Sequence, residues 1–198
     1  LEIVARGIGQ SQRLSAPGRT ALRELCVAAL SNRLKVTDWL QRHPALRQRP
    51  IVHPVFILGA PRTGTTLVSN LLSKDPGRRS LLRWEAFDSV PPARKGELSS
   101  DPRCLALKAA EHLTTSSSIH HEEADGPTEC VVLLAQDFKS TLFEAVFENP
   151  EYSAWLLQAD MTSAYAYHRN VLQVLQAQNG GTWLLKMPAH ALFIDYLV

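Results

Sequence analysis

Apolar residues along this chain fall into two rhythms that alternate. Between Ser15 and Gln41 they recur at Leu22, Leu25, Ala29, Val36, Trp39 and Leu40 with helical spacing, and Pro44 and Pro50 interrupt the next stretch. This predicts one or two helices and then a linker, so residues 1–50 form an N-terminal helical segment. Pro54-Val55-Phe56-Ile57-Leu58 has the other rhythm: a short apolar, β-branched and aromatic run ending at Gly59, as expected of a strand buried on both faces. From Thr65 to Lys74 the helical spacing returns, with Leu67, Val68, Leu71 and Leu72 on one face, until Asp75-Pro76-Gly77 stops it.

The alternation continues to the end of the chain. Ser80-Leu81-Leu82-Arg83-Trp84 predicts a second short strand with Glu85 at its carboxyl end. Asp101-Pro102 is an N-cap followed by proline at the first helical position, and Thr128-Glu129 opens a helical run through Val131, Leu134, Phe138, Leu142 and Val146. Asp160 caps a further helix to about Gln178, stopped by Asn179-Gly180-Gly181. Thr182 to Lys186 reads as another buried strand and Ala189 to Val198 as the helix after it. Strands alternating with helices imply an α/β fold with a central parallel sheet covered on both faces. The fold class is a P-loop-like three-layer domain over residues 51–198 with a large helical insertion, preceded by the N-terminal helices in one continuous domain.

Composition adds exclusions. Of the 198 residues 45% are hydrophobic and 20% charged, ordinary for a globular domain, and 21 Lys+Arg against 19 Asp+Glu leave a formal charge of +2. That is too small to make nucleic acid or an anionic membrane the main partner. Cys26, Cys104 and Cys130 lie far apart on apolar stretches, which predicts buried reduced thiols and a cytoplasmic location. No apolar run is long enough for a membrane span or signal peptide, although a chain beginning at Leu1 is compatible with processing or trimming.

The candidate chemistry sits in Gly59-Ala60-Pro61-Arg62-Thr63-Gly64-Thr65-Thr66, between the first strand and its helix. A turn in this position aims several backbone N–H groups, and the positive end of the helix dipole, at one point, which suits a phosphate. The Gly59-to-Gly64 spacing is that of a nucleoside-triphosphate P-loop, but the lysine that reaches the β and γ phosphates is replaced by Thr65. Arg62 is the cation within the loop. Such a loop suits one 5'-phosphate and a group bonded to it.

Ala60-Pro61-Arg62-Thr63-Gly64-Thr65-Thr66-Leu67 resembles the 5'-phosphosulfate loop of sulfotransferases that use 3'-phosphoadenosine 5'-phosphosulfate (PAPS). Asn70-Leu71-Leu72 through Asp75-Pro76 to Trp84-Glu85 is similar to the loop, helix and glutamate layout of the bacterial, tyrosylprotein and heparan types. Lys186-Met187-Pro188-Ala189-His190 is similar to the Lys-x-Pro-Ala element after a central strand in the same group. The likeness runs from Pro54 to Val198 and is greatest to actinobacterial members. It implies transfer of a sulfuryl group from PAPS to a hydroxyl of a small-molecule, lipid or carbohydrate acceptor, releasing adenosine 3',5'-bisphosphate, with no metal required.

The resemblance also implies roles. Pro61, Arg62, Thr63, Gly64, Thr65 and Thr66 would hold the 5'-phosphate, Arg62 would stabilise the bridging oxygen, and Lys186 would contact the transferred sulfonate. Glu85 is the expected general base and His190 the second candidate. The family's 3'-phosphate site is an Arg and a Ser after the Lys-x-Pro element, which leads to the expectation that the native product continues past Val198. His120-His121-Glu122-Glu123-Ala124-Asp125-Gly126-Pro127 holds ligand-type side chains but no second cluster at metal spacing, so it is expected to be a polar loop lining the acceptor site. An ATP-dependent phosphotransferase and a non-catalytic nucleotide-binding pseudoenzyme are the competing functions, separable by nucleotide preference and turnover.

Overall fold

The computed structural model of the chain describes residues 1–60, 62–113 and 122–197. Two helices open it: α1 (Glu2–Gln10), which the sequence pattern does not announce, and α2 (Ala16–Arg42), one uninterrupted helix. Ser15 begins α2 by accepting a hydrogen bond from Gly18 N at 3.2 Å, and Pro17 fits the first turn, where no N–H is needed. Leu22, Cys26, Ala29, Val36 and Leu40 are buried at spacings of three, four and seven, a single stripe along one side. After the 3₁₀ turn Pro44–Gln48 the chain enters the sheet.

The sheet has three strands among the described residues: β1 (Val55–Ile57), β2 (Arg78–Ser80) and β3 (Thr182–Lys186), in the order β1-β3-β2 and all parallel. Helix α3 (Thr65–Leu72) follows β1 as expected. Its apolar residues are not buried, however: Leu67 is 64% and Leu71 63% exposed, while Ser69 is covered. Amphipathic spacing identifies a face that favours cover but says nothing about what covers it.

β2 lies earlier than the predicted strand. Asp75 Oδ1 accepts from Gly77 N at 2.8 Å, closing a tight turn that lets the chain enter β2 at once. The strand then cannot run on, because residues 122–128 come alongside: Arg83 N donates to Gly126 O (3.0 Å) and Trp84 N to Ala124 O (3.1 Å). Residues Arg83–Phe87 turn into helix α4, so Glu85 lies inside a helical turn rather than at a strand end.

The insertion between β2 and β3 holds α5 (Pro102–Leu113), α6 (Val131–Ala135), α7 (Leu142–Val146), α8 (Pro150–Leu156) and α9 (Thr162–Leu175). Asp101 opens α5 by accepting from Arg103 N at 2.9 Å. The single helix predicted from Thr128 is two, broken where Phe138 takes a φ of +57°. Helix α9 packs against both α2 and α6 and is buried on most sides, so its sequence is apolar beyond one stripe. The final segment, Pro188–Tyr196, is 3₁₀ with a kink at Phe193 rather than an α-helix. Cys26, Cys104 and Cys130 are free and buried, as composition suggested. No helix among the described residues is long and apolar enough to cross a membrane.

Candidate active site

The loop between β1 and α3 takes its shape from three left-handed residues: Gly59 (φ +151°), Arg62 (φ +67°) and Gly64 (φ +89°). A Cβ on Gly64 would meet nothing within 4 Å, so it is the backbone angle, not crowding, that calls for glycine there. Thr63 Oγ1 donates to Ala60 O at 2.7 Å and fastens the turn. The first N–H groups of α3, starting at Thr65, have no carbonyl within their own helix to pair with. Arg62, Thr63, Gly64 and Thr66 are exposed, leaving this donor-rich face open; Pro61 lies outside the described residues.

Lys186 arrives at the same place from the sheet. Pairing of Ile57 with Lys186 sets the end of β3 beside the start of the loop, and Lys186 Nζ reaches Thr66 Oγ1 at 3.1 Å. The side chain is only 3% exposed, and a buried ammonium requires counter-charge. Glu129 Oε1 supplies it at 3.1 Å and Glu122 Oε1 at 3.7 Å, with side chains 31% and 25% exposed. The backbone places Glu129 there: beyond Ser80 it takes the seat beside β3 that β2 vacates, through a parallel bridge to Lys186 and a Cys130 N to Lys186 O bond of 2.9 Å. Thr128 Oγ1 donates to Glu122 Oε2 at 2.6 Å and holds the second carboxylate in line. Donors, one ammonium and two reachable carboxylates therefore share one edge of the sheet.

The two residues expected to serve as base are both buried. Glu85 is fully buried, and both its carboxylate oxygens accept from Arg79 Nη2, at 2.6 and 2.7 Å. Arg79 lies over the Trp183 ring, 4.8 Å from its centroid, and pairs in register with Trp183, three residues before Lys186. That sets the Arg79 backbone about 10 Å down the strand from Lys186 at ~3.3 Å per residue. Burial pushes the Glu85 carboxyl up from its ordinary range while Arg79 pulls it back. His190 is also fully buried, with Nδ1 2.8 Å from Tyr165 Oη, and desolvation drops its imidazole to about 3.

Glu129 is the site group that sequence reasoning missed, whereas Glu122 lies in the polar segment expected to line the acceptor site. Thr128-Glu129 before an apolar run reads locally as a helix start, and a bridge between positions 129 and 186 leaves no local signature. Of the polar segment 120–127, His120 and His121 lie outside the described residues, Glu122 faces Lys186, and Asp125 pairs with Lys108 at 2.5 Å.

This loop, helix and strand-end lysine correspond to a known group of enzymes: the family profile described as "Sulfotransferase family" matches residues 54–198. The chain belongs to the sulfotransferase family. Its structure is similar to that of sulfotransferase STF9 from Mycobacterium avium, with a TM-score of 0.90 and 39% identity over 98% of this chain and 52% of that one. It is also similar to sulfotransferase STF1 from Mycobacterium tuberculosis H37Rv, with a TM-score of 0.86 and 30% identity over 98% of this chain and 55% of that one. This chain thus spans about half the length of these two sulfotransferases. No curated protein sequence matches it.

Proposed function

We propose that this sulfotransferase chain binds the 5'-phosphosulfate end of PAPS on the 59–66 loop and transfers the sulfuryl group to a hydroxyl acceptor, with Glu129 as general base. The observation that carries this reading is Lys186 Nζ, held between Thr66 Oγ1 of the loop and the Glu129 carboxylate, each at 3.1 Å. The residues present fit the donor: Gly64 leaves room over the loop, the N–H groups of the α3 first turn, which have no carbonyl within their own helix, favour a phosphate, and Thr65 stands where a triphosphate site has lysine.

The donor supplies an activated sulfur–oxygen bond, which breaks as the acceptor oxygen bonds to sulfur, its electron pair leaving with the 5'-phosphate. Transfers of this kind pass through a loose transition state, so the protein contributes position and charge. The N–H groups of Thr63, Gly64, Thr65 and Thr66 hold the phosphate, Arg62 faces charge that builds on the bridging oxygen, and Lys186 turns toward the equatorial oxygens. As Lys186 turns to the anion, the Glu129 carboxylate is released to take the proton of the acceptor hydroxyl. Glu129 is open enough to meet an acceptor, which Glu85 and His190 are not.

A thermal-shift comparison of adenosine 3',5'-bisphosphate, AMP, ADP and ATP with Mg²⁺ on the full-length protein tests the reading. Stabilisation by the 3',5'-bisphosphate above the other three is expected. A larger shift with ATP would move the protein to the phosphotransferases, and binding without sulfuryl transfer from PAPS to any phenol or sugar hydroxyl would make it a pseudoenzyme.

A further inference from the structure

Behind Lys186 and Glu129, on the inner side of the same segments, Cys130, His168 and His190 meet in the core. Cys130 follows Glu129 at the start of α6, His168 is in the middle of α9, and His190 is in the 3₁₀ turn after β3. Cys130 and His190 are 0% exposed and His168 is 4% exposed. One ligand atom from each lies within 4.8 Å of the other two, the one such grouping of His, Cys, Asp or Glu among the described residues. Nε2 of His168 and Nε2 of His190 are both buried without a hydrogen-bond partner, an arrangement folded proteins rarely leave in place.

We propose that Cys130, His168 and His190 form a buried structural site for one zinc-class divalent cation. A sulfur and two imidazole nitrogens are the ligand types that a borderline-soft ion of this class prefers. Bonds of about 2.0 to 2.3 Å would draw the ligand atoms to roughly 3.3 to 3.7 Å apart, an inward shift of about 1 Å that side-chain rotation supplies. Tyr165 Oη, 2.8 Å from His190 Nδ1, is the outer partner that metal-bound histidines usually have: Nδ1–H donates to it, which leaves the Nε2 lone pair for the ion. On binding, the Cys130 S–H bond is exchanged for a sulfur–metal bond and the proton leaves to solvent. Burial pushes the free Cys130 thiol up to about 12. The thiolate and the ion together leave one positive charge, and the Glu129 carboxylate is among the groups acting on Cys130. The site would tie the residue after Glu129 to the segment after Lys186, and it does not depend on the sulfuryl-transfer reading.

The test uses untagged protein purified in zinc-supplemented buffer, with metal measured by mass spectrometry after gel filtration. About one zinc per chain is expected, together with loss of zinc in Cys130→Ser and His168→Gln and full retention in Cys104→Ser. Loading with cobalt is a second reading: wild type should show a thiolate-to-cobalt band, which Cys130→Ser should lose. Failure of wild type to take up either metal would overturn the proposal even if the variants do not fold. So would equal zinc in Cys130→Ser with a native circular-dichroism spectrum, which would place the ion elsewhere.

Discussion

Glu129 Oε1 stands 3.1 Å from Lys186 Nζ because the two backbones run parallel at that one position, and the pair closes the sheet edge beneath the loop. A base that shares its proton-accepting oxygen with the cation meant for the donor is masked until the donor arrives. Glu129→Gln should therefore leave binding of adenosine 3',5'-bisphosphate equal or slightly tighter while lowering turnover roughly 100- to 10,000-fold. Calorimetry with the bisphosphate and transfer of radiolabelled sulfate to a phenolic acceptor check both halves. Unchanged turnover would remove Glu129 from the mechanism.

Arg62 and Lys186 differ in burial, and that separates their predicted effects. Arg62 is exposed on a left-handed loop position, so Arg62→Ala should unfold at the wild-type temperature and lose turnover rather than donor affinity, by about 3 to 4 kcal/mol of barrier. Lys186 is buried against two carboxylates, so Lys186→Met should weaken donor binding as well as turnover. A melting curve and a kcat/KM split on both variants distinguish the two, and equal effects on KM and kcat in Arg62→Ala would contradict its placement.

What the sequence made legible was the part governed by local rules. Gly59, Gly64 and the apolar run before them fix a strand, loop and helix whatever the rest of the chain does, and Thr182 to Lys186 is bounded by glycines on one side and Pro188 on the other. Glu85 departs from its expected position because that position rests on a strand that the approach of residues 122–128 ends after Ser80, a pairing across forty residues of sequence. Glu129 escapes a sequence reading for the same physical reason: its partner, Lys186, is brought to it only by the sheet. The exposed leucines of α3 show the converse, a legible helix whose surroundings are not.

Gly64 tests the loop without touching a charge. Its φ of +89° is a left-handed angle, so Gly64→Ala should cost about 1 to 2 kcal/mol of stability even though a methyl group finds no neighbour within 4 Å. For a chain of this size that lowers the melting temperature by roughly 2 to 8 °C. Bisphosphate binding should weaken further, since relief of the strain turns the Thr65 and Thr66 N–H groups away from their common point. Native melting and binding in Gly64→Ala would mean that the loop geometry is not what positions the nucleotide.

The Arg79–Glu85 pair gives the most direct contrast between support and catalysis. Both oxygens of Glu85 are spent on Arg79 Nη2 in a fully buried position, and Arg79 is in turn stacked on Trp183. Glu85→Gln keeps the volume but leaves the guanidinium without a counter-charge, a change that typically costs about 3 to 5 kcal/mol in a buried pair. The melting temperature should fall by roughly 6 to 20 °C, while protein that remains folded at low temperature should keep turnover within about threefold of wild type. Removing the charge on both sides, in Glu85→Gln with Arg79→Met, should recover part of the loss, because the uncompensated ion is gone. Glu85→Gln that melts normally but fails to transfer sulfate would reverse the assignment, making Glu85 the base and Glu129 the support.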